Sequence, residues 1–155
     1  MRGDITVVAV EPSPLAVVRL STTFSEWPGQ VIKTLGIVYE AVRAKKIKQS
    51  GQNVMVYHPP GGQRVDVECG VKVAAKFETV GEIAYCETPG GTAATMVHLG
   101  AYDQLVASHR AVVEWGRKNG HRFAGVCWGI YGDWNEDLAK LRTDIFHLLE
   151  GAEYS

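Results

Sequence analysis

Residues 92–132, TAATMVHLGAYDQLVASHRAVVEWGRKNGHRFAGVCWGIYG, hold two periodicities in sequence. TAATMVHLG (92–100) predicts a strand. Over 101–120, Leu105, His109, Val112 and Gly116 trace one stripe, which Val106, Val113 and Trp115 widen. That spacing is the 3.6-residue repeat of an amphipathic helix. Gly120 can adopt the left-handed conformation that closes it. FAGVCWGIYG (123–132) predicts a second strand. After the turn DWNED, LRTDIFHLL (141–149) predicts a last one. Large rings alternate with empty positions in CWGIYGDW (127–134), which suits a strand lining a cavity or packing under something bulky.

The same order occurs upstream. LAVVRLS (15–21) reads as a strand. Pro28 opens a helical stretch in which Val31, Leu35, Val38 and Val42 recur at helical spacing. SGQN (50–53) reads as a loop, VMVYH (54–58) as a strand and PPGGQ (59–63) as a turn. VDVECGVKV (65–73) alternates strictly, as a half-buried strand does, with Gly70 marking a bulge. ITVVAV (5–10) and GEIAYC (81–86) add strands in front of each set. AVVRL echoes ATMVHL, NVMVYHPP echoes VCWGIYGD with Tyr57 over Tyr131, and VDVECGVKV echoes LRTDIFHLL. Repeated order outranks local similarity, so the chain reads as a duplication. The expectation is one α+β domain over 1–155, with repeat one at about 5–76 and repeat two at about 81–150. Each repeat is strand–helix–strand–strand. The two are related by a pseudo-twofold, with an antiparallel sheet and two main helices. A join between like halves is a common place for a cleft.

Bulk properties narrow the function. The 155 residues are 46% hydrophobic and 21% charged, with a net charge of −1. RAKKIK (43–48) is the sole basic cluster and reads as a solvated helix end. Direct nucleic-acid binding is therefore not expected. Three widely spaced cysteines without a CxxC read as reduced thiols in a cytoplasmic protein. No apolar run approaches the ~18 residues of a membrane span. No P-loop, GxGxxG or GxSxG occurs, and His58, His98, His109, His121 and His147 show no metal-ligand spacing. No cofactor or metal is expected. Ser108 lies mid-helix without a positioned base.

With those residues in view, the chain resembles the GyrI-like, or bacterial transcription activator effector-binding, family. The features that match are HLGAY (98–102), Trp115, GIY (129–131) and Asp144, with NVMVYHPP and VECGVKV in the first half. The resemblance implies a duplicated strand–helix–strand–strand fold and a small-molecule site in the cleft between repeats. It implies drug- or effector-binding and a link to transcription regulation. It also admits hydrolysis of strained electrophilic natural products, or gyrase protection through a protein contact. Without a helix-turn-helix, regulation would need a partner. The family carries Glu two residues before its tyrosine, where this chain has Gly129. That exchange removes a charge suited to cationic ligands.

The expected ligand-binding set is Met55, Tyr57, Glu68, Trp115, Trp128, Gly129, Tyr131 and Tyr39. Met55 and Tyr57 share a strand face, as do Gly129 and Tyr131. Trp115 could cap the cleft or pack its helix on the sheet. Trp128 alternates with Tyr131 and suits the core. Tyr39 lies at the edge of the first helix's stripe. Trp27 reads as a hydrophobic staple, and Trp134 as surface. Glu68 suits a solvated face, or, with a tyrosine, the acid–base pair of a hydrolase. The leading expectation is a protein that binds a hydrophobic, aromatic small molecule.

Overall fold

The structure is a computed structural model that describes residues 3–61 and 63–150. It has eight antiparallel strands and two main helices: β1 (Thr6–Val10), β2 (Pro14–Thr23), α1 (Val31–Arg43), β3 (Gln49–Gly61), β4 (Arg64–Val73), β5 (Ile83–Glu87), β6 (Gly91–Leu99), α2 (Leu105–Lys118), β7 (Phe123–Tyr131) and β8 (Arg142–Leu149). This is the expected α+β architecture. The chain divides into two compact units. A mid-chain unit spans Pro12–Thr88, and a two-segment unit takes the described residues on either side of it.

In the mid-chain unit the strand order is β3-β4-β2-β5. Ala16 and Val18 of β2, Val71 and Val73 of β4, and Ile83 pack under Val38 and Ala41 of α1. The buried face of α1 is Thr34, Val38 and Ala41, so the helix is turned slightly from the predicted valine stripe. Pro28 lies in a separate 3₁₀ turn, Trp27–Gly29, ahead of α1. Beyond Arg43 the helix stops. Lys45 takes a positive φ of 61°, and the Lys46 and Ile47 amides both bond to the Ala41 carbonyl.

Two local expectations are corrected here. SGQN (50–53) belongs to β3, whose ladder with β4 shifts register between Gln49 and Asn53. Turn-forming residues are absorbed by a bulge, where extra residues need no ladder partner. Gly70 marks no bulge, since it pairs in register with both Val17 and Val54. It is glycine because the adjoining strand passes where a side chain would stand. A Cβ there would lie 1.7 Å from the Ala16 carbonyl oxygen.

In the two-segment unit the strand order is β1-β6-β8-β7. Ala94 and Met96 of β6 and Ile145 and Leu149 of β8 pack under Val112 of α2, with Leu105, Trp115 and Phe123 at the margin. Gly116 lets α2 close on β7, for a Cβ would meet the Phe123 ring at 2.3 Å. Gly120 ends the helix with φ +78°. The ladders cross the expected repeat boundaries. β1 pairs with β6 (Thr6↔Thr95), and β5 pairs with β2 (Leu15↔Cys86). The prolines of EPSP (11–14) remove ladder donors between β1 and β2 and so disfavour a hairpin there.

The two glycines Gly36 and Gly70 should respond oppositely to alanine. Gly36 is exposed on α1 with nothing within 4 Å of a built Cβ. Gly36→Ala should stabilise by about 0.5–1 kcal/mol through helix propensity. Gly70→Ala should destabilise by about 3 kcal/mol, because the clash is with backbone. Urea midpoints of the two variants check both signs.

Candidate functional site

Strand alternation decides which side chains accompany each helix. On β3 the pairs Met55↔Cys69 and Tyr57↔Val67 place Met55 and Tyr57 on the side of Val71, beneath α1. Four hydrogen bonds fix the rings there. Trp27 Nε1 donates to the Tyr57 hydroxyl at 3.2 Å, and that hydroxyl donates to Met55 Sδ at 3.6 Å. Tyr39 donates to Asn53 Oδ1, and Gln49 Nε2 donates to the Tyr39 hydroxyl at 3.4 Å. The turn carrying Trp27 is tied down by Thr22 Oγ1 donating to Gln30 Oε1 at 2.6 Å. Met55, Tyr57 and Tyr39 are thus brought to one face. Trp27 joins them as a buried donor, 6% exposed. Asn53 and Gln49 escaped the sequence reading because the strand's first residues looked like a loop.

Glu68 is placed differently. It pairs with Val56, so it stands on the opposite face from Tyr57. There it accepts from Arg19 Nε at 2.8 Å and contacts His58 Nε2 at 2.8 Å. These groups, with Ser21 and Asp66, line a shallow depression of about 390 Å³. Burial pushes the Glu68 carboxyl up, but the Arg19 and His58 contacts outweigh it and hold the group below its ordinary value. The expectation for a hydrolase pairs Glu68 with a tyrosine, and Tyr57 is not that tyrosine, since it stands on the opposite face.

In the two-segment unit, Gly129 pairs with Ile145 and Tyr131 with Thr143, on the α2 side of the ladder. A Cβ on Gly129 would stand 3.2 Å from the Tyr131 ring. The room left by glycine is therefore taken by the phenol two residues on. Tyr131 meets Tyr102 edge to face at 5.7 Å, and Tyr102 meets the exposed Trp134 at 6.4 Å. Trp128 turns to the other face, where it stacks on Phe146 at 5.3 Å and is 2% exposed. Trp115 stacks on His121 at 5.5 Å at the margin of the α2 core. Asp144 is on the Trp128 side and paired with Arg142 at 2.8 Å. So Gly129 and Tyr131 share a face, and Trp128 does not share it.

The HLGAY stretch now has a physical account. The Ala101 carbonyl can only accept, so His98 Nε2 carries the proton at 3.1 Å from it. His98 Nδ1 then accepts from the Ser108 hydroxyl at 2.7 Å. Gly100 has φ 137° and donates its amide to the Leu141 carbonyl. Ser108 therefore has an imidazole partner, against expectation. Both residues are at most 2% exposed, so the pair ties β6 to α2. Burial pushes the thiols of Cys69 and Cys86 up to about 12, which keeps them protonated and unreactive near neutrality.

The GyrI-like small molecule binding domain matches residues 3–147, and the chain belongs to that family. It is a small-molecule-binding domain. No curated protein matches it. Among solved structures it is similar to the C-terminal domain of EcmrR, with a TM-score of 0.79 at 20% identity over 96% of this chain and 98% of that one. It spans 57% of the EcmrR chain in a complex with DNA. It is similar to SAV2435 bound to tetraphenylphosphonium, with a TM-score of 0.71 at 9% identity over 97% of this chain and 96% of that one. A hydrolase from Listeria innocua is similar at a TM-score of 0.55 and 9% identity, over 94% of this chain and 91% of that one. At these identities the likeness is one of fold. Among the described residues, no helix is long and apolar enough to cross a membrane.

The Glu68 cluster predicts an acid limb of stability. A carboxylate held below its unfolded value stabilises the fold above that value, and the stabilisation is lost as pH falls through the folded value. Wild type should lose stability below about pH 4.5. Glu68→Gln should be less stable at pH 7 and flatter across the acid window. Urea midpoints taken from pH 7 to pH 3 check this.

Proposed function

We propose that this chain binds a hydrophobic, aromatic small molecule, uncharged rather than cationic, on its ring-lined, helix-bearing sheet faces. The observation that carries the reading is how charge is sorted across the strands. Tyr57, Met55 and Trp27 stand on the helix side of their unit, while Glu68 is turned to the other side, ion-paired with Arg19 and in contact with His58. In the other unit Tyr131 and Gly129 share the helix side, and Asp144 is turned away to Arg142. Rings held by hydrogen bonds are pre-ordered, so little conformational entropy is lost when a ligand stacks on them. A surface without a carboxylate gives a cation no opposite charge to offset its desolvation, which leaves it only the weaker attraction of the ring faces.

The family membership supports a small-molecule ligand, and the tetraphenylphosphonium bound to SAV2435, a cation carrying phenyl rings, supports the aromatic character of the ligand and not its neutrality. EcmrR occurs in a complex with DNA, which supports a role as the effector-sensing part of a regulatory system. The hydrolase reading, which pairs Glu68 with a tyrosine, gains no support from Tyr57, which points to the opposite face, and Glu68 is instead bonded to Arg19 and His58.

Planar uncharged dyes should quench tryptophan fluorescence at about micromolar concentration, and matched cationic dyes should bind more weakly. Tyr57→Ala and Tyr131→Ala should each weaken binding roughly two- to tenfold, the worth of one aromatic contact. Loss in only one variant would assign the ligand to that unit. Unchanged binding in both, with urea midpoints showing folded protein, would overturn the reading. Stronger binding of the cationic dye would overturn the preference for neutral ligands.

A further inference from the structure

Three side chains other than the rings assigned to the ligand meet beneath α2, on the sheet face that also carries Gly129 and Tyr131. His109 comes from the helix, Cys127 from β7 and His147 from β8. Cys127 and His147 are cross-strand partners in the ladder. His109 Nδ1 and His147 Nε2 lie 2.8 Å apart, nitrogen to nitrogen. One nitrogen of each ring and Cys127 Sγ all fall within 4.8 Å of one another. The rings meet edge to face at 5.0 Å, and Phe123 packs on His147 at 5.8 Å. Each of the three is part-buried. Neighbouring His98 is occupied by Ser108 and the Ala101 carbonyl.

We propose that His109, Cys127 and His147 form a transition-metal site, with zinc the best match. Two imidazole nitrogens and a thiolate are the donor set that borderline-soft divalent ions select over calcium or magnesium. Metal–nitrogen bonds of about 2.0–2.1 Å and a metal–sulfur bond of about 2.3 Å place tetrahedral ligands about 3.3–3.6 Å apart. The imidazole nitrogens need to open by about 0.5 Å, and the most distant pair to close by about 1 Å. Rotation about the side-chain bonds of these part-buried residues would supply both.

The protonation states fit a neutral donor pair. Burial, with a smaller contribution from His98, pushes His109 down to about 4. Burial, with a smaller contribution from His109, pushes His147 down to about 3. Both rings are therefore neutral near pH 7. One of them donates the N–H···N bond that joins them. On metal binding that ring moves its proton to its other nitrogen, so each ring presents a lone pair. Burial holds the Cys127 thiol up at about 12. The metal displaces that proton to solvent and keeps the sulfur as thiolate. Three protein ligands leave a fourth position for water or a small ligand, as in open zinc sites. The sequence hides the site because its ligands come from three elements, with no short motif.

Cobalt(II) titrated into protein freed of metal by chelation should give a thiolate-to-cobalt charge-transfer band. The band should saturate at one equivalent and be displaced by zinc(II). Cys127→Ser should abolish the band, and His147→Gln should weaken cobalt binding at least tenfold. The Cys69→Ser/Cys86→Ser double variant leaves Cys127 as sole thiol and should keep the band, so the assignment can be read even if Cys127→Ser fails to fold. Absence of a band in wild type, or its loss in the folded double variant, would overturn the proposal. So would an undiminished band in Cys127→Ser, or cobalt binding unaffected by His147→Gln.

Discussion

Each unit rests on one constraint: a sheet face must be closed under a helix. Ala16, Val18, Val71 and Val73 find their cover in Val38 and Ala41, and Ala94, Met96 and Ile145 find theirs in Val112. Once those residues face the helix, alternation decides every other side chain on the same strands. Tyr57 and Tyr131 are carried to the helix side, and Glu68 and Asp144 away from it. Sliding a strand by one residue would exchange the two sets and carry a carboxylate such as Glu68 or Asp144 under a helix. The apolar core thus fixes where the chemistry can be.

Much of the fold was legible for the same reason. Period-two alternation in VDVECGVKV and helical periodicity in 101–120 record which face is buried, and they identified β4 and α2 directly. The family resemblance drew on these elements and on HLGAY. What escaped was whatever depends on partners distant in the chain. SGQN carries turn-forming residues yet enters β3, because a bulge tolerates them. Gly70 looked like an irregularity, and its cause is the Ala16 carbonyl more than fifty residues earlier. The strands at 5–10 and 81–86 could be recognised locally, but which unit each would join could not.

The site residues divide along the same line. Pairs sharing a strand, such as Met55 with Tyr57 and Gly129 with Tyr131, could be placed on a common face by counting. The separation of Trp128 from Tyr131 followed from the same count. Side-chain bonds between elements were invisible. Nothing local joins Trp27 to Tyr57, His98 to Ser108, or His109 to His147. Gly129 is instructive because its emptiness was readable but its occupant was not. The Tyr131 ring folds back over it, so the space left at Gly129 is filled by a side chain two residues on.

The exchange of edge strands bears on the order in which the chain assembles as it is made. β1 emerges first, yet its hydrogen-bonding partner β6 is not synthesised until the entire mid-chain unit has followed. The mid-chain unit, contiguous in sequence, can close as soon as β5 docks on β2. β1 meanwhile waits with its amides and carbonyls unpaired, and the long loop between it and β6 must be closed at an entropic cost. Non-local pairing of this kind is slow, and it leaves a strand edge open to other nascent chains until the pairing completes. Its brevity, five residues flanked by Asp4 and by the prolines of EPSP, limits that exposure.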